Sequence, residues 1–157
     1  MLDTSSFNIL KNLTVSYTGH EAVHFRCAST YNTLQYSSIS FTGRYTNNMG
    51  FGEAVYIGTA ISNWGSVDCL NNGPDYSHYN QIMDNVLGPN VTAECIDLKE
   101  GTSGGLIRGN KLDGNALSNL LGSFSWINCK GTNYTITQNT GKNSIQFGYR
   151  VRKQGKG

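Results

Sequence analysis

Glu94, Asp97 and Lys99 place two carboxylates and an amine within six residues of the sequence. A lysine in its neutral form can remove a proton from a substrate, and carboxylates can hold a hard cation such as calcium. Further proton-transfer groups occur in segments that look like copies of this one. The residues for which we predict catalytic proton transfer are Lys99, Lys130, His24 and Tyr56.

These segments share the alternation of a β-strand that buries one face. Residues 21–26, 53–58 and 94–99 each place two apolar side chains two positions apart, and residues 125–130 and 148–152 are weaker copies. Stacking such strands in register puts the intervening polar side chains on one outer face, one rung per copy. The residues on this face that we expect to bind substrate are Arg26, Asp97 and Asn128.

A second repeat carries an asparagine at a fixed place in each copy. Asn85, Asn110 and Asn139 each follow an isoleucine by three residues. An asparagine tolerates the left-handed conformation at a corner, and its amide can hydrogen-bond to the asparagine stacked above it. Repeats of twenty to thirty residues with short strands indicate a solenoid of β-coils.

The chain is therefore predicted to be all-β, a right-handed parallel β-helix (β-solenoid) of about five coils. Its 19 Gly, 18 Asn and 2 Pro suit turns better than helices. We expect residues 1–157 to form a single domain, which could be the central part of a longer chain, with a loop excursion at 59–79. The residues predicted inside the coils are Val23, Phe25, Val55, Ile57, Ile96, Leu98, Ile107, Ile127 and Ile136.

The charge of the chain does not require a polyanionic partner such as nucleic acid. The formal net charge is +2, and 14% of the residues are charged. The basic run at 150–153 is typical of a solvated tail as well as of a binding patch. We predict neither a nucleic-acid partner nor a membrane.

Cysteines and glycosylation sequons favour an extracellular protein. Four cysteines allow two disulfides. We expect Cys69, in the excursion, to be able to meet Cys95, which strand alternation turns outward, and Cys129 to be a free thiol in the core. The sequons, which predict a glycoprotein, begin at Asn12, Asn90 and Asn133. A secreted protein is expected, with a leader that was removed or lies outside this sequence.

The excursion contains aromatic residues that could contact a ligand. Loops on a rigid scaffold often carry binding groups, and aromatic rings stack on the apolar faces of sugars. Trp64 and Tyr76 are therefore predicted substrate-binding residues. The alternative is that they form a small local core that holds the loop.

Two stretches carry a resemblance to a known group of proteins. Residues 53–58 with 62–65, and residues 93–102 with 107–110, resemble secreted right-handed parallel β-helix proteins of the pectate-lyase-like superfamily. This likeness covers roughly residues 7–150 and implies the same fold.

A narrower likeness is to polysaccharide lyase family 6, which includes alginate and chondroitin lyases. Glu94 and Lys99 match the family's spacing of a calcium-binding Glu and a Lys that removes the C5 proton. The family's Arg, which assists the leaving oxygen, is expected near Leu120, where this sequence has no Arg. The resemblance implies β-elimination from a uronate, for which Lys99 would need a pKa depressed by neighbouring cations.

Several alternatives are left open by the residues. Glu53 and Glu94 could bind calcium, or they could cap backbone amides at the corner. The outer face could bind and cleave acidic (uronate) polysaccharide, bind it without cleavage, or be an ordinary solvated surface. A different reading is a non-catalytic structural or interaction module that assembles with itself by end-to-end stacking of β-helix ends.

Overall fold

The computed structural model describes residues 1–45, 51–117 and 125–152, which form short parallel strands arranged in coils. Each coil contributes one strand to each of three sheets. In chain order, the strands are β1 (Leu2–Asp3), β2 (Ile9–Lys11), β3 (Thr14–Ser16), β4 (Val23–Arg26), β5 (Thr33–Gln35), β6 (Ser38–Ser40), β7 (Val55–Ile57), β8 (Gln81–Met83), β9 (Val86–Leu87), β10 (Ile96–Leu98), β11 (Leu106–Arg108), β12 (Lys111–Asp113), β13 (Ser125–Cys129), β14 (Thr135–Thr137), β15 (Thr140–Lys142) and β16 (Phe147–Val151).

Every strand pairs with the equivalent strand of the neighbouring coil. The first sheet has the order β1-β4-β7-β10-β13-β16, the second β14-β11-β8-β5-β2, and the third β15-β12-β9-β6-β3. All of these pairs are parallel and in register. The predicted fold, a right-handed parallel β-helix of about five coils, is confirmed. Within the described ranges, no helix is both long and apolar enough to cross a membrane.

Apolar strand residues fill the interior of the coils. Of the nine residues predicted there, all except Ile136 are buried. Ile136 is only partly buried because β14 is the outermost strand of the second sheet. The second and third sheets add further core residues, which are Leu34, Ile39, Ile82, Leu87 and Leu112.

The corner between the second and third sheets is two residues long. Its first residue has a positive φ in every coil, namely Asn12, Tyr36, Asp84, Gly109 and Gln138. Our prediction that the repeated asparagines themselves adopt this conformation is wrong. The asparagines occupy the second corner position, from which the side chain can reach the backbone of the neighbouring coil.

The repeated asparagines form a hydrogen-bonded ladder through successive coils. Asn85 Nδ2 donates to Asn110 Oδ1 (3.0 Å), and Asn110 Nδ2 donates to Asn139 Oδ1 (2.9 Å). The Asn110 side chain also accepts from the Asn85 backbone N–H (3.0 Å) and donates to the Ile82 carbonyl (2.9 Å). This ladder satisfies backbone groups that the corner would otherwise leave buried without a partner.

A second ladder, which the sequence reading did not identify, lies before the second sheet. Asn8 Nδ2 donates to Asn32 Oδ1 (2.9 Å), and Asn32 Nδ2 donates to Asn80 Oδ1 (3.2 Å). Asn32 and Asn80 are fully buried. The irregular spacing of these residues in the sequence hides the repeat, because the long excursion separates Asn32 from Asn80.

The segment between β7 and β8 leaves the coil and is tied back to it. It contains two short 3-10 turns, Ile61–Asn63 and Asp68–Leu70, and a disulfide joins Cys27 to Cys69. The buried Asp75 carboxylate accepts hydrogen bonds from the Cys27 backbone N–H (3.0 Å) and from Thr59 Oγ1 (2.8 Å). The base of the segment is therefore fixed by one covalent and several polar contacts.

The prediction that Cys69 could meet Cys95 is wrong, because Cys69 is bonded to Cys27. Cys95 is a buried free thiol, as is Cys129. Cys95 Sγ lies 3.7 Å from the Leu87 carbonyl oxygen, inside the coil. Strand alternation does not apply to Cys95 because it precedes β10 and belongs to the corner.

We expect Asn110→Ala to lower the free energy of unfolding by about 2–4 kcal/mol. The substitution removes the acceptor of two Asn85 N–H groups and one donor to the Ile82 carbonyl, and each such loss costs on the order of 1 kcal/mol. Urea denaturation followed by circular dichroism measures the change. The exposed Asn115→Ala should stay within about 0.5 kcal/mol of the parent. Equal losses in the two variants would contradict the structural role of the ladder.

Candidate functional site

The first sheet carries two adjacent rows of polar side chains on its outer surface. In the first row, Tyr56, Asp97 and Asn128 are direct neighbours in β7, β10 and β13. The second row follows the strand ends and includes Lys99 and Lys130, with the Lys130 backbone N–H donating to the Leu98 carbonyl (2.8 Å). Successive rungs of a parallel sheet are about 4.8 Å apart, so these side chains must interact.

The two rows form one wall of a cavity of about 260 Å³. The base of the excursion and residues beside β7 form the opposite wall. The residues that line the cavity are Phe51, Glu53, Tyr56, Ala60, Ser62, Asn63, Glu94, Asp97, Lys99, Asn128, Lys130 and Arg152. We define this set as the sheet-face cavity.

Glu53 and Glu94 reach the sheet-face cavity from the corner that precedes their strands. Simple alternation would turn them inward, but the next residues, Ala54 and Cys95, occupy the interior instead. Glu94 Oε1 accepts a hydrogen bond from Asn128 Nδ2 (3.3 Å). The corner thus adds carboxylates to a face that strand alternation would leave without them.

Asp97 is the charged group around which the cavity is organised. Its side chain is 2% exposed, and both Lys99 Nζ and Lys130 Nζ form ion pairs with its Oδ2 atom. The Lys130 distance is 3.3 Å. The lysine side chains are themselves nearly buried, so solvent screens these charges only weakly.

The two lysines have opposite changes in pKa. Burial alone would lower the pKa of Lys99, but the attraction of Asp97 and the nearby Tyr56 outweighs it and raises the pKa. Burial also lowers the pKa of Lys130, and repulsion from Lys99 adds to it against the opposing effect of Asp97. The depressed pKa expected for Lys99 is therefore found at Lys130 instead, because Lys99 makes the closer contact with Asp97.

Tyr56 is held between Lys99 and His24. The Lys99 ammonium lies 4.5 Å from the centre of the Tyr56 ring. Burial raises the pKa of the Tyr56 hydroxyl, and the charge of Asp97 adds to the increase. The Tyr56 hydroxyl is therefore protonated at neutral pH and can donate a proton.

His24 supports Tyr56 from the neighbouring coil and does not line the cavity within the described residues. Its ring meets the Tyr56 ring edge-on at 4.5 Å, and its Nε2 atom is 2.8 Å from the Gly58 carbonyl oxygen. Burial lowers the pKa of His24, more than the hydrogen bond to Gly58 raises it. Direct proton transfer by His24 stays a prediction, and its ring does not reach the lining of the cavity among the described residues.

Three carboxylates meet at one end of the cavity. Glu53, Glu94 and Asp97 each place an oxygen within 4.8 Å of the others. Burial raises the pKa of Glu53 well above the usual range, and the charge of Asp97 adds to the effect. Glu53 Oε2 and Asp97 Oδ1 are buried without a hydrogen-bond partner in the described part of the chain. This oxygen-only set fits calcium in ligand type, and it can equally hold a proton on Glu53.

Three of the predicted substrate-binding residues lie away from the cavity. Arg26 forms an ion pair with Asp3 (2.8 Å). Trp64 Nε1 donates to the Thr59 carbonyl (2.9 Å), a contact within the excursion. Tyr76 is 54% exposed. None of these three belongs to the cavity lining among the described residues.

The sequence reading missed several residues of the cavity. Arg152 belongs to the basic run that was left open between a solvated tail and a binding patch; it follows β16, and its backbone N–H donates to the Cys129 carbonyl (3.0 Å). The residues near Leu120, where an Arg was expected by resemblance, lie outside the described ranges. The remaining missed residues are Phe51, Ala60, Ser62 and Asn63. Only Arg152 had a signal in the sequence, the match of 148–152 to the strand repeat.

A larger recess of about 460 Å³ lies on the third sheet. Its floor includes apolar residues such as Val86 and Leu112, and Lys142 at its edge pairs with Asp113 (3.3 Å). This recess does not combine a base, an acid and a carboxylate cluster. The sheet-face cavity is therefore the better candidate for a functional site, although it is smaller.

No protein-family model matches the sequence, and no curated protein matches it. Among solved structures, the chain is similar to an alginate lyase from Paenibacillus sp. str. FPU-7, with 31% sequence identity and a TM-score of 0.81. The similarity covers 88% of this chain but 44% of the other, so the chain spans less than half the length of that enzyme. This likeness agrees with a parallel β-helix of the polysaccharide-lyase type.

Proposed function

We propose that this protein binds acidic (uronate) polysaccharide in the sheet-face cavity and cleaves it by β-elimination. The observation that carries the proposal is the combination of Lys99, Lys130 and Tyr56 around the buried Asp97 in one open cavity. Such a set supplies a base, an acid and positive charge to the same substrate. The structural similarity to an alginate lyase makes alginate the first polymer to test.

The reaction balances as a proton transfer coupled to the cleavage of one bond. A base removes the C5 proton of a uronate residue, and the electrons of that C–H bond form the C4–C5 double bond. The C4–O4 bond breaks, and an acid donates a proton to the leaving O4 atom. The intermediate carries extra negative charge on the carboxylate, which nearby cations stabilise.

The charges of the cavity suggest how these roles are divided. Lys130 has the lowered pKa and is the better base at neutral or moderately alkaline pH. Lys99 stays protonated and stabilises the negative charge of the intermediate. Tyr56, which keeps its proton, is the acid that meets the leaving oxygen. The family resemblance places the base at Lys99 instead, and the variants below separate the two assignments.

Calcium is a further proposal for the carboxylate cluster. Glu53 and Glu94, with Asp97, would hold the ion, and a bound cation would supply positive charge beside the substrate carboxylate. Without it, the lysines and a proton on Glu53 balance the same carboxylates. Substrate binding by Asn128 fits either case because its side chain lines the cavity.

An extracellular location is also proposed. The Cys27–Cys69 disulfide supports it, since such bonds persist in oxidising compartments. An acidic polysaccharide is a substrate found outside cells, so the site and the disulfide favour the same environment. Secretion and glycosylation of the sequons stay predictions.

Lys130→Met should lower kcat on alginate or another polyuronate by about 100-fold to 10,000-fold, because a positioned base contributes that much. The ultraviolet absorbance of the unsaturated product measures the rate. Lys111→Met, on the exposed edge of β12, is the matched control and should keep the parent rate. Full activity in Lys130→Met would exclude this residue as the base. The absence of unsaturated product with every uronate polymer would refute the lyase proposal.

The pH dependence of kcat/KM should report the Lys130 titration. Because the neutral amine is the base, kcat/KM should rise with pH up to the pKa of Lys130, which lies below the ordinary lysine value of 10.5. Lys99→Met removes a neighbouring positive charge, which raises the pKa of Lys130 and moves the rising limb to higher pH. Lys111→Met should leave the limb in place. A limb that disappears in Lys99→Met would assign the base to Lys99.

The alternative function, end-to-end assembly, is favoured by apolar side chains on the outer coils. Phe7 and Ile9 are 76% and 69% exposed in the first coil, and Val151 is 74% exposed in β16. Stacking of such surfaces would be head-to-tail and would give fibres. Light scattering over a range of concentrations tests this directly. Particles whose mass grows with concentration support assembly, whereas a constant mass of one chain argues against it.

A further inference from the structure

Arg152 is a cation of the sheet-face cavity whose side chain has an unused donor. Lys99 and Lys130 both pair with Asp97, so each of these two cations already has an acidic partner inside the protein. The Nε atom of Arg152 is buried and has no hydrogen-bond partner within the described residues. A buried N–H without an acceptor is costly, so a ligand that supplies an acceptor at this atom would gain binding free energy.

Among the described residues, Asn128, in the same cavity, has a hydrogen-bond acceptor without a partner, whereas Arg152 has a donor without one. Its Nδ2 donates to Glu94 Oε1 (3.3 Å), which turns its Oδ1 atom away from Glu94. Oδ1 is buried and lacks a partner in the described part of the chain, and the side chain is 1% exposed. An acceptor in this position requires a donor such as a sugar hydroxyl.

The strand register places Arg152 one rung from Lys130. Both residues belong to the row that follows the strand ends, on neighbouring coils, and successive rungs are about 4.8 Å apart. The carboxylate of a uronate is attached to the carbon that loses the proton. One sugar can therefore place its C5 proton at Lys130 and its carboxylate at Arg152.

We propose that Arg152 and Asn128 form the subsite for the sugar that is deprotonated, with Arg152 Nε donating to its free carboxylate and Asn128 Oδ1 accepting from its hydroxyl. The planar guanidinium suits a carboxylate better than a lysine ammonium does. This inference rests on the proposed function. It adds that the site selects polymers with free carboxylates and rejects their methyl esters.

The test measures binding where no cleavage occurs. In a Lys130→Met background, isothermal titration with oligoalginate compares Arg152 with Arg152→Met and Arg152→Lys. Arg152→Met should weaken binding about 10-fold to 100-fold, since a charge-assisted hydrogen bond is lost. Arg152→Lys should recover part of that loss. Binding of the methyl-esterified oligomer should be weak in all three chains and should not change with the residue at 152.

The control is Arg108→Met, which removes the same kind of side chain from β11 in the second sheet, outside the cavity lining. It should leave the Kd for oligoalginate unchanged. Thermal melting checks that each variant is folded. If Arg152→Met does not fold, the Kd of Arg152→Lys shows whether the side chain at position 152 binds the carboxylate. A similar Kd for the free acid in all position-152 variants would overturn the inference.

The inference and the proposed function can fail separately. Product formation by the parent chain, with no effect of Arg152→Met on Kd, would keep the lyase and remove the subsite. A Kd that depends on Arg152, without any unsaturated product from the parent, would keep the subsite and remove the catalytic proposal. No binding of oligoalginate, oligogalacturonate or chondroitin oligosaccharides by the Lys130→Met chain would overturn both.

Discussion

The in-register pairing of parallel strands is the constraint on which the rest of this structure depends. Pairing places equivalent residues of successive coils about 4.8 Å apart, so the side chain at each position contacts the equivalent side chains of the adjacent coils. Asparagines gain from this arrangement because each amide can both donate and accept along the stack. Charged residues at equivalent positions are also forced into close contact, and this is how Asp97, Lys99 and Lys130 come together in one wall of the sheet-face cavity.

In the cavity, the Asp97 carboxylate forms ion pairs with two buried ammonium groups, those of Lys99 and Lys130. Burying a charge is unfavourable unless an opposite charge lies close to it. Asp97 is nearer to Lys99 than to Lys130, and the two pKa values move in opposite directions as a result. The two lysines therefore differ in the direction of their pKa shift although both are buried beside the same carboxylate.

The sequence predicted the fold well because the apolar alternation within strands is a direct consequence of the pairing. Val55, Ile57 and Leu98 are buried as that alternation requires. It failed at the corner before β10, where no ladder dictates the side-chain direction, so Cys95, which was expected to point outward, lies inside the coil. The same corner turns Glu94 toward the cavity.

The site was partly predictable for the same reason. Residues of the central rungs, such as Tyr56, Asp97 and Lys130, were placed together by register alone. The ion pair of Arg26 with Asp3 could not be predicted, because Asp3 lies in a first coil with little sequence signal. The wall formed by Ser62 and Asn63 was also unpredictable, since the excursion follows no repeat and is fixed by tertiary contacts.

The Cys27–Cys69 disulfide has a consequence for the thermodynamics of ligand capture. A flexible loop loses conformational entropy when it closes on a ligand, and this loss weakens affinity. The excursion that supplies Ser62 and Asn63 is instead tied to the second coil before any ligand arrives. The conformational entropy of this part of the excursion is therefore lost when the disulfide forms during folding. A ligand that bound in the cavity would not have to order this wall.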